Sequence, residues 1–421
     1  MIEPTPGVLG ADTPSAMKET RLSNGIRIIT EEMPSVRSAA VGIWIRQGSA
    51  HEPPEAEGAS HLLEHLVFKG TEHRTAREIA RELEGIGGSL DAYTGREHTS
   101  YQARVLDEHV PLALDVLSDL ILTPLLRSED LDLEREVVLE EISTVEDTPD
   151  DLVFELHGER LWAGHPYGHS ILGTRESVAS MTVEMLHELH HVRYRSGDLV
   201  VAAAGSVEHE GVVDTVEDLL GHLPGEGDRF ELPQPGGTGT GDFRVRRQSA
   251  QTHVVVGTDI PGHPDPRRYP LLLLNTAFGG GMSSRLFQRV REELALAYAV
   301  YSFQSFYHHA GCAGVYVGTR PGWDDRAVDV IREEYRKLAE RGLSDGELEQ
   351  TKRQVKGQIM LSLESPEARL YRLAGFALHD EPYLSLDELL GRVDRVSGDE
   401  VADVAREFFD PEGQLIVRLG P

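Results

Sequence analysis

A segment rich in proline and glycine divides this chain into two parts of similar length. Residues 223–242 read LPGEGDRFELPQPGGTGTGD and have neither helical nor strand periodicity. That composition is typical of a linker. The chain has 421 residues, more than one ordinary hydrophobic core accommodates. The sequence therefore predicts a first half over residues 1–222, a linker over 223–242 and a second half over 243–421, with a loose tail at 1–16.

The two halves repeat one order of structural elements, with strands first and helices later. The first half has strand-like patterns at 26–30, 39–45, 89–105 and 198–205, and helical patterns at 75–86, 108–122, 128–146 and 150–161. The second half has strand-like patterns at 252–257 and 298–318, an apolar helix at 269–278 and long helices from 324 onward. This repeat predicts an α+β fold of two similar halves. Each half would be a mixed or antiparallel sheet with helices packed on it, and the two would form a clamshell.

Charge and cysteine content exclude several classes of protein. Asp and Glu number 71 against 41 Lys and Arg, a formal net charge of −30. Such a surface repels nucleic acid and anionic lipid, so we expect neither a nucleic-acid nor a membrane partner. Cys312 is the only cysteine, which excludes an intrachain disulfide and a cysteine-based metal cluster. The first residues lack the basic start and the apolar stretch of a signal peptide, and no apolar run is long enough to span a membrane, so a cytoplasmic location is expected.

One short motif has the spacing of a metal site. His61, Glu64 and His65 occupy positions i, i+3 and i+4 in the segment HLLEH. On a helix these three side chains lie within one wedge of roughly 100°. Two imidazoles can then bind one cation while the carboxylate stands beside it. Metal-assisted hydrolysis requires this combination of neutral nitrogen ligands and a nearby base.

A second motif competes with the first for this role. His187, Glu188 and His191 satisfy the better-known pattern HExxH. With 19 histidines in the chain, one of the two patterns is accidental. The residues after the second motif contain neither the glycine nor the third histidine that some peptidases of this pattern have. Glu208 and Glu210 could supply a third ligand, but they fall in a predicted loop with no helix to orient them.

A third ligand is easier to find for the first motif. The predicted helix 128–146 has one apolar stripe at helical spacing, formed by Leu131, Val138, Ile142 and Val145. Glu134 and Glu141 lie on or beside that stripe, whereas Glu140 points about 100° away from Glu141. Carboxylates on a buried face are costly unless they are paired or bind a cation. Glu141 is therefore the expected third ligand, with Glu134 as a hydrogen-bonding partner of the ligands.

Several longer segments resemble one family of enzymes. HLLEHLVFKGT, followed later by Glu141, resembles the inverted metal motif of the pitrilysin-type (M16) zinc metallopeptidases. GGSLDAYTGREHTSYQARVL, LEREVVLEEISTVEDTPDD, GHPYGHSILGT and GGGMSSRLFQRVREELALAYAV resemble further segments of that family and occur in its order. The length and the two halves are similar to its smaller branch, which includes the mitochondrial processing peptidase and bacterial relatives.

The resemblance implies a role for each residue of the metal motif. His61, His65 and Glu141 would hold one Zn²⁺ per chain. Glu64 would be the general base that takes a proton from the attacking water. The histidines of the competing motif would then belong to a helix of the scaffold.

The resemblance also implies how a substrate is held. Residues 88–94, including Gly88, Asp91 and Ala92, would form an edge strand that pairs with an extended peptide. The family often has Asn where this chain has Asp91, which puts that side-chain contact in question. Backbone pairing does not depend on the side chain.

Four further residues have both a functional and an ordinary interpretation. Arg291 and Tyr298 match a family pair that holds the substrate across the cleft, but they could also be an exposed helix charge and a strand core residue. Asp151 and Glu155 share a helix face, because they are four residues apart, and match acidic residues that contact an arginine near the cleavage point. Their ordinary interpretation is acidity at a helix N-terminus.

Together these features predict a zinc-dependent endopeptidase. It would hydrolyse peptides or unfolded segments held as an added β-strand in an enclosed chamber. Because the chain carries both the metal motif and the Arg/Tyr pair, it would work without a different partner chain, as a homodimer. The alternative is a non-catalytic or partner subunit of the same fold, which binds peptide or assembles with another chain. The intact set of ligands and base argues against that alternative.

Overall fold

The computed structural model describes residues 17–225, 230–237 and 239–421. The expected loose tail at 1–16 and five residues of the predicted linker lie outside the described residues. The strands form two separate sheets, and the helices pack on their faces. No helix in the described part of the chain is both long and apolar enough to cross a membrane.

The first sheet is built from strands of the first half. They are β1 (Met17–Arg21), β2 (Arg27–Glu32), β3 (Ser38–Ile45), β4 (Ser89–Thr94), β5 (Thr99–Leu106) and β6 (Leu199–Gly205). Their order in the sheet is β1-β2-β6-β3-β5-β4. Only the β2–β6 pair is parallel. β4 is therefore an edge strand.

The helices of the first half carry the motif that the sequence singled out. They are α1 (Ala59–Val67), α2 (Ala76–Glu84), α3 (Val110–Leu122), α4 (Ser128–Asp147), α5 (Pro149–Leu161), α6 (Arg175–Ser180), α7 (Val183–Arg193) and α8 (His209–Leu220). On α1, Leu62, Leu63 and Leu66 are fully buried in the core. Burial of each such leucine contributes roughly 1.5–3 kcal/mol, which holds this face of α1 inward. The HxxEH side chains are consequently presented on the other side of the helix.

The second sheet is built from strands of the second half. They are β7 (Gly241–Arg246), β8 (Thr252–Pro261), β9 (Ala297–Phe306), β10 (Ala310–Thr319) and β11 (Leu415–Gly420), in the order β7-β11-β8-β10-β9. The helices are α9 (Arg268–Gly279), α10 (Asp324–Arg341), α11 (Asp345–Ser362), α12 (Pro366–Leu378), α13 (Leu386–Arg395) and α14 (Gly398–Phe408), with a π-helical segment at Phe287–Glu293. Cys312, on β10, is a partly buried free thiol.

The two sheets have matching strand orders. In each, an edge hairpin joins a central strand, which pairs in turn with a strand from late in that half. In both sheets this late strand also pairs in parallel with a strand from early in the same half: β6 pairs with β2, and β11 pairs with β7. The prediction of an α+β fold with two similar halves is confirmed. The sequence pattern did not predict β7, which begins within 223–242, or β11, which ends a stretch where only helices were expected.

Two helices cross from one half to the sheet of the other. α5 packs on β8 and β11 of the second sheet, where Val153 and Val417 belong to one buried cluster. α12 packs on β2, β3 and β6 of the first sheet, where Leu373 and Trp44 belong to another. Each half thus supplies part of the packing of the other half. The first sheet lies within residues 1–222, whereas the second sheet begins at Gly241, two residues before the predicted second half. That the halves are separate domains with these boundaries stays a prediction.

Candidate metal centre

Two imidazoles of α1 meet one carboxylate of α4. His61 Nε2 lies 3.6 Å from Glu141 Oε2, and His65 Nε2 lies 3.8 Å from Glu141 Oε1. One ligand atom from each of these three residues lies within 4.8 Å of the others, and no second such group occurs in the residues that the structure describes. Glu64 is on the same helix, one residue before His65. The structure therefore brings together the three residues that the sequence proposed as ligands.

The donor set fits a zinc ion. Zinc in tetrahedral coordination has bonds of about 2.0–2.2 Å to nitrogen and oxygen, so its ligand atoms lie roughly 3.3–3.6 Å apart. Glu141 Oε2 is buried without a hydrogen-bond partner in the described chain, and so is Nδ1 of His61. An unpaired carboxylate oxygen among imidazole nitrogens is costly unless a cation is bound there. Two imidazoles and one carboxylate also leave the fourth position open, as catalytic zinc sites do.

Burial sets the protonation state of His61. Burial and, to a smaller extent, the neighbouring His65 lower the pKa of His61 to about 4. His61 is therefore neutral near pH 7. The neutral imidazole is the form that binds a metal ion.

The other nitrogen of His65 is held by a buried carboxylate. Nδ1 of His65 donates a hydrogen bond to Oε2 of Glu134 at 3.0 Å, which leaves Nε2 directed at Glu141. Glu134 Oε1 in turn lies 2.5 Å from Nζ of Lys69. Carboxylate partners of this kind fix the tautomer and orientation of a histidine ligand. The sequence proposed Glu134 for this position but did not identify Lys69.

Glu64 receives a hydrogen bond that the sequence did not suggest. The hydroxyl of Thr94, the last residue of β4, donates to Oε2 of Glu64. Burial raises the pKa of Glu64, while the Thr94 hydrogen bond opposes that rise. A raised pKa suits a carboxylate that has to accept and release protons near neutral pH. In the sequence, Thr94 differs in no way from other strand threonines.

The start of α1 is held by a second buried glutamate. Glu52 accepts hydrogen bonds from the backbone amides of Gly58 at 2.7 Å and Ser60 at 2.6 Å. Gly58 has a φ of 89°, and a Cβ there would lie 2.5 Å from the carbonyl oxygen of Leu172. The segment GHPYGHSILGT therefore supports the first turn of α1 by close backbone contact. These contacts fix the position of the N-terminus of α1, and with it the position of the HxxEH side chains on that helix.

The edge strand beside this centre is β4. Gly88 precedes it, and a Cβ at Gly88 would lie 2.9 Å from the carbonyl oxygen of Arg104, so the backbone approaches β5 closely there. β4 pairs antiparallel with β5 over its whole length, and no other described strand pairs with it. One row of its amides and carbonyls therefore faces away from the sheet, the arrangement that accepts an added strand.

The two faces of β4 differ in their surroundings. Leu90 and Ala92 pack on the core that contains α1. Side chains alternate along a strand, so Thr94 shares their face while Asp91 points to the other one. Asp91 borders a cavity of about 220 Å³, together with Glu367 of α12. Its carboxylate thus lies on the face opposite the metal ligands, and only the backbone of Asp91 and Ala92 is offered at the edge.

Arg291 and Tyr298 form a pair in the second half. The Arg291 guanidinium lies 4.6 Å from the ring centroids of both Phe287 and Tyr298, within the range of a cation–π contact. Tyr298 is 77% exposed, so it is not the core residue of the ordinary interpretation. Among the described residues, no hydrogen bond, ion pair or ring contact joins either side chain to α1 or α4. In the described chain, neither side chain therefore makes a direct contact with the helices that carry the metal ligands.

Asp151 and Glu155 lie on α5, which covers the second sheet. Burial raises the pKa of Tyr301, and the nearby charges of Asp150 and Asp151 raise it further. Glu155 is half-buried one turn later. No ion pair between described residues joins Asp151 or Glu155 to the three ligands. Their role near a cleavage point stays a prediction.

The competing motif lies on α7, and no third ligand converges on it within the described part of the chain. His187, Glu188 and His191 are exposed. The expectation of a loop holds for Glu208, which is the N-cap of α8, and was wrong for Glu210, because α8 begins at His209. The carboxylate of Glu210 is instead engaged in an ion pair with Lys18 of β1, at 2.7 Å. α7 packs against α1 and is part of the scaffold.

Replacing both His187 and His191 with Gln is expected to leave zinc binding and peptide cleavage within a few-fold of wild type. The physical reason is that both histidines are exposed and belong to no converging group of three metal-binding side chains among the residues that the structure describes. Zinc content and cleavage rate of the purified double variant measure this. Loss of stoichiometric zinc in a folded double variant would move the metal centre to α7.

Comparisons with known proteins connect this centre to a family. A family model described as Insulinase (Peptidase family M16) matches residues 27–175, and one described as Peptidase M16 inactive domain matches residues 180–355. A Streptomyces coelicolor protein described as an uncharacterized zinc protease is 39% identical over 412 residues, which cover 96% of this chain and 90% of the relative. A Bacillus subtilis protein with the same description is 38% identical over 399 residues, which cover 95% of this chain and 97% of the relative.

Solved structures share the fold. A structure described as the peptidase M16 inactive domain from Pseudomonas fluorescens has a TM-score of 0.89 at 20% identity and covers 96% of this chain and 98% of its own. A protease from Helicobacter pylori has a TM-score of 0.88 at 20% identity, with 97% of this chain and all of that one covered. The two structural similarities establish the fold, and the sequence identity to the relatives establishes membership of the family. This chain belongs to peptidase family M16.

Proposed function

We propose that this chain is a zinc-dependent endopeptidase that hydrolyses peptides or unfolded segments held as an added strand along β4. The observation that carries the proposal is the hydrogen bond from Thr94, at the end of the edge strand, to Glu64. A peptide paired with β4 would pass directly beside the carboxylate that has to move protons. A metal site that served stability alone would require neither a free edge strand nor a buried carboxylate outside the ligand set.

Each residue of this centre would have a distinct role in amide hydrolysis. His61, His65 and Glu141 would hold one zinc ion per chain, which when bound supplies a Lewis acid that polarises the scissile carbonyl and makes water more acidic. Glu64 would take a proton from the attacking water and pass it to the leaving amine. Thr94 would keep the Glu64 carboxylate in place. The backbone of β4 would orient the peptide, which removes rotational freedom before the reaction begins.

The substrate clamp requires a second copy of the chain in this proposal. Arg291 and Tyr298 have no described contact with the metal centre of their own chain, yet Tyr298 is largely exposed. Arginine and tyrosine are typical anchors of binding surfaces. A homodimer in which the second half of one chain faces the metal centre of the other would bring this pair to the substrate. Such a dimer would enclose the chamber in which cleavage occurs.

Mixing two inactive variants tests that arrangement. Glu64→Gln removes the base, and the double variant Arg291→Ala/Tyr298→Phe removes the clamp. After subunit exchange, half of the dimers are mixed and one of their two sites is intact, so we expect about a quarter of wild-type cleavage. Each variant alone is the control. No recovery in exchanged dimers, or full activity in a strict monomer, would contradict the proposed assembly.

The alternative is a non-catalytic or partner subunit of the same fold. The domain model described as inactive matches residues 180–355, a range that contains none of the four residues of the metal centre. This distribution supports catalysis by the first half with help from the second.

We further propose that Asp151 and Glu155 favour a basic side chain near the scissile bond. We also propose that the enzyme acts in the cytoplasm, where a free thiol such as that of Cys312 is common.

A further inference from the structure

Lys69 is linked to the proposed metal ligand His65 through the carboxylate of Glu134. Its ammonium lies 2.5 Å from Oε1 of Glu134. The other oxygen of the same carboxylate, Oε2, accepts the hydrogen bond from Nδ1 of His65. Both carboxylate oxygens are therefore engaged, one by a cation and one by the ligand. Nε2 of His65 remains directed at Glu141.

The backbone holds Lys69 where it can make this contact. α1 ends at Val67, and Lys69 follows in the first residues beyond the helix, four positions after His65. The guanidinium of Arg127, just before α4, donates a hydrogen bond to the carbonyl oxygen of Lys69 at 3.0 Å. α1 and α4 run antiparallel here, since His61 meets Glu141 and Lys69 meets Glu134. The ammonium thus reaches the same helix that supplies the third ligand.

Because Glu134 is buried, its negative charge has to be compensated by a nearby cation, which Lys69 provides. The Glu134 side chain is only 8% exposed, and a buried carboxylate is costly without a compensating charge. Lys69 supplies that charge at 2.5 Å and restrains the rotation of the carboxylate. Without that restraint, the carboxylate can turn toward solvent and release Nδ1 of His65. The imidazole would then lose the partner that fixes its orientation.

We propose that Lys69 is a positioning residue for the metal centre, acting through Glu134 to hold His65 in its metal-binding orientation. This inference rests on the proposed zinc site. Lys69 does not touch the ligand atoms, so its effect is on zinc affinity and not on the proton transfer by Glu64. The free energy that it contributes is therefore measurable in the absence of any peptide.

Zinc affinity of the full chain, measured by competition with a chromophoric chelator, tests the role of Lys69. Lys69→Met keeps most of the aliphatic stem and removes the charge, and we expect it to weaken zinc binding about 10-fold or more, as loss of an outer partner does. Lys69→Arg retains the charge and should recover most of the affinity. Lys18→Met is the matched control, because it removes an equal charge from an exposed ion pair with Glu210 on the same half. It should bind zinc as wild type does.

A double variant separates positioning from general stability. If Lys69 acts through Glu134, then Lys69→Met should change the affinity less than two-fold in a Glu134→Gln background. The melting temperature of the metal-free protein checks that each variant is folded, and Lys69→Gln serves if Lys69→Met is not. Equal zinc affinity in wild type and Lys69→Met, or an undiminished effect in the Glu134→Gln background, would overturn the role of Lys69 while leaving the peptidase proposal intact. Absence of zinc binding in the wild-type chain would overturn both.

Discussion

Replacing Glu64 with Gln is expected to lower the rate of peptide cleavage by roughly 10²–10⁴-fold, the range that general acid–base catalysis supplies. The amide has nearly the shape of the carboxylate and can still accept the Thr94 hydrogen bond, but it cannot accept a proton from water. Zinc content should stay near one ion per chain, because Glu64 is not among the three residues whose ligand atoms converge. Cleavage rate and zinc content measured on the same preparation give both values.

A matched substitution shows whether the effect belongs to this carboxylate. Glu84 lies exposed on α2, outside the centre, and Glu84→Gln should cleave peptides at the wild-type rate. Near-wild-type cleavage by Glu64→Gln would show that another group moves the protons. Loss of zinc from that variant would show instead that Glu64 is a ligand.

Replacing Glu141 with Ala is expected to remove the metal itself. Among the residues with described positions, Glu141 is the one carboxylate that faces both imidazoles, at 3.6 Å from His61 and 3.8 Å from His65. Two histidines alone hold zinc weakly, so affinity should fall by more than the roughly 10–100-fold that loss of an outer partner causes. Cleavage should disappear with the metal. Chelator competition measures the affinity.

The neighbouring residue provides the control for this second prediction. Glu140 is exposed and points away from the ligands, so Glu140→Ala should retain both zinc and cleavage. The pair of variants removes the same charge from adjacent positions of one helix. If the two variants bind zinc equally well, Glu141 is not a ligand.

The sequence predicted the parts of the centre that depend on local spacing. His61, Glu64 and His65 could be assigned to one helix side because helical geometry relates residues three and four apart. The stripe on α4 selected Glu134 and Glu141 over Glu140 because only a periodic pattern shows which side is inward. The helix at 75–86 was also predicted from the local sequence, and the structure contains α2 there, with a capping box formed by Thr75 and Glu78. The similarity of the halves followed from the repeated order of elements, whereas the order of the strands within each sheet was not predicted.

Other parts depend on contacts between distant segments, which no local pattern records. Thr94, Glu52 and Lys69 each gain their roles from a partner on another element. The exchange of α5 and α12 between the halves was not predictable, since an amphipathic helix does not specify which sheet it covers. β11 was missed although a turn signal, Asp-Pro-Glu-Gly at 410–413, precedes it, because a short apolar run does not by itself distinguish a strand from a buried helix segment. The Arg291–Tyr298 pair had two interpretations until the exposure of Tyr298 excluded a core role.

The most direct test of the central claim measures zinc stoichiometry and cleavage of a mixed peptide library on one preparation, before chelation, after chelation and after zinc is restored. We expect one zinc ion per chain, cleavage of internal peptide bonds, loss of cleavage when the metal is removed, and recovery when zinc is returned. Undiminished cleavage by the metal-free protein, or a fully zinc-loaded protein that cleaves no peptide in the library, would contradict the account.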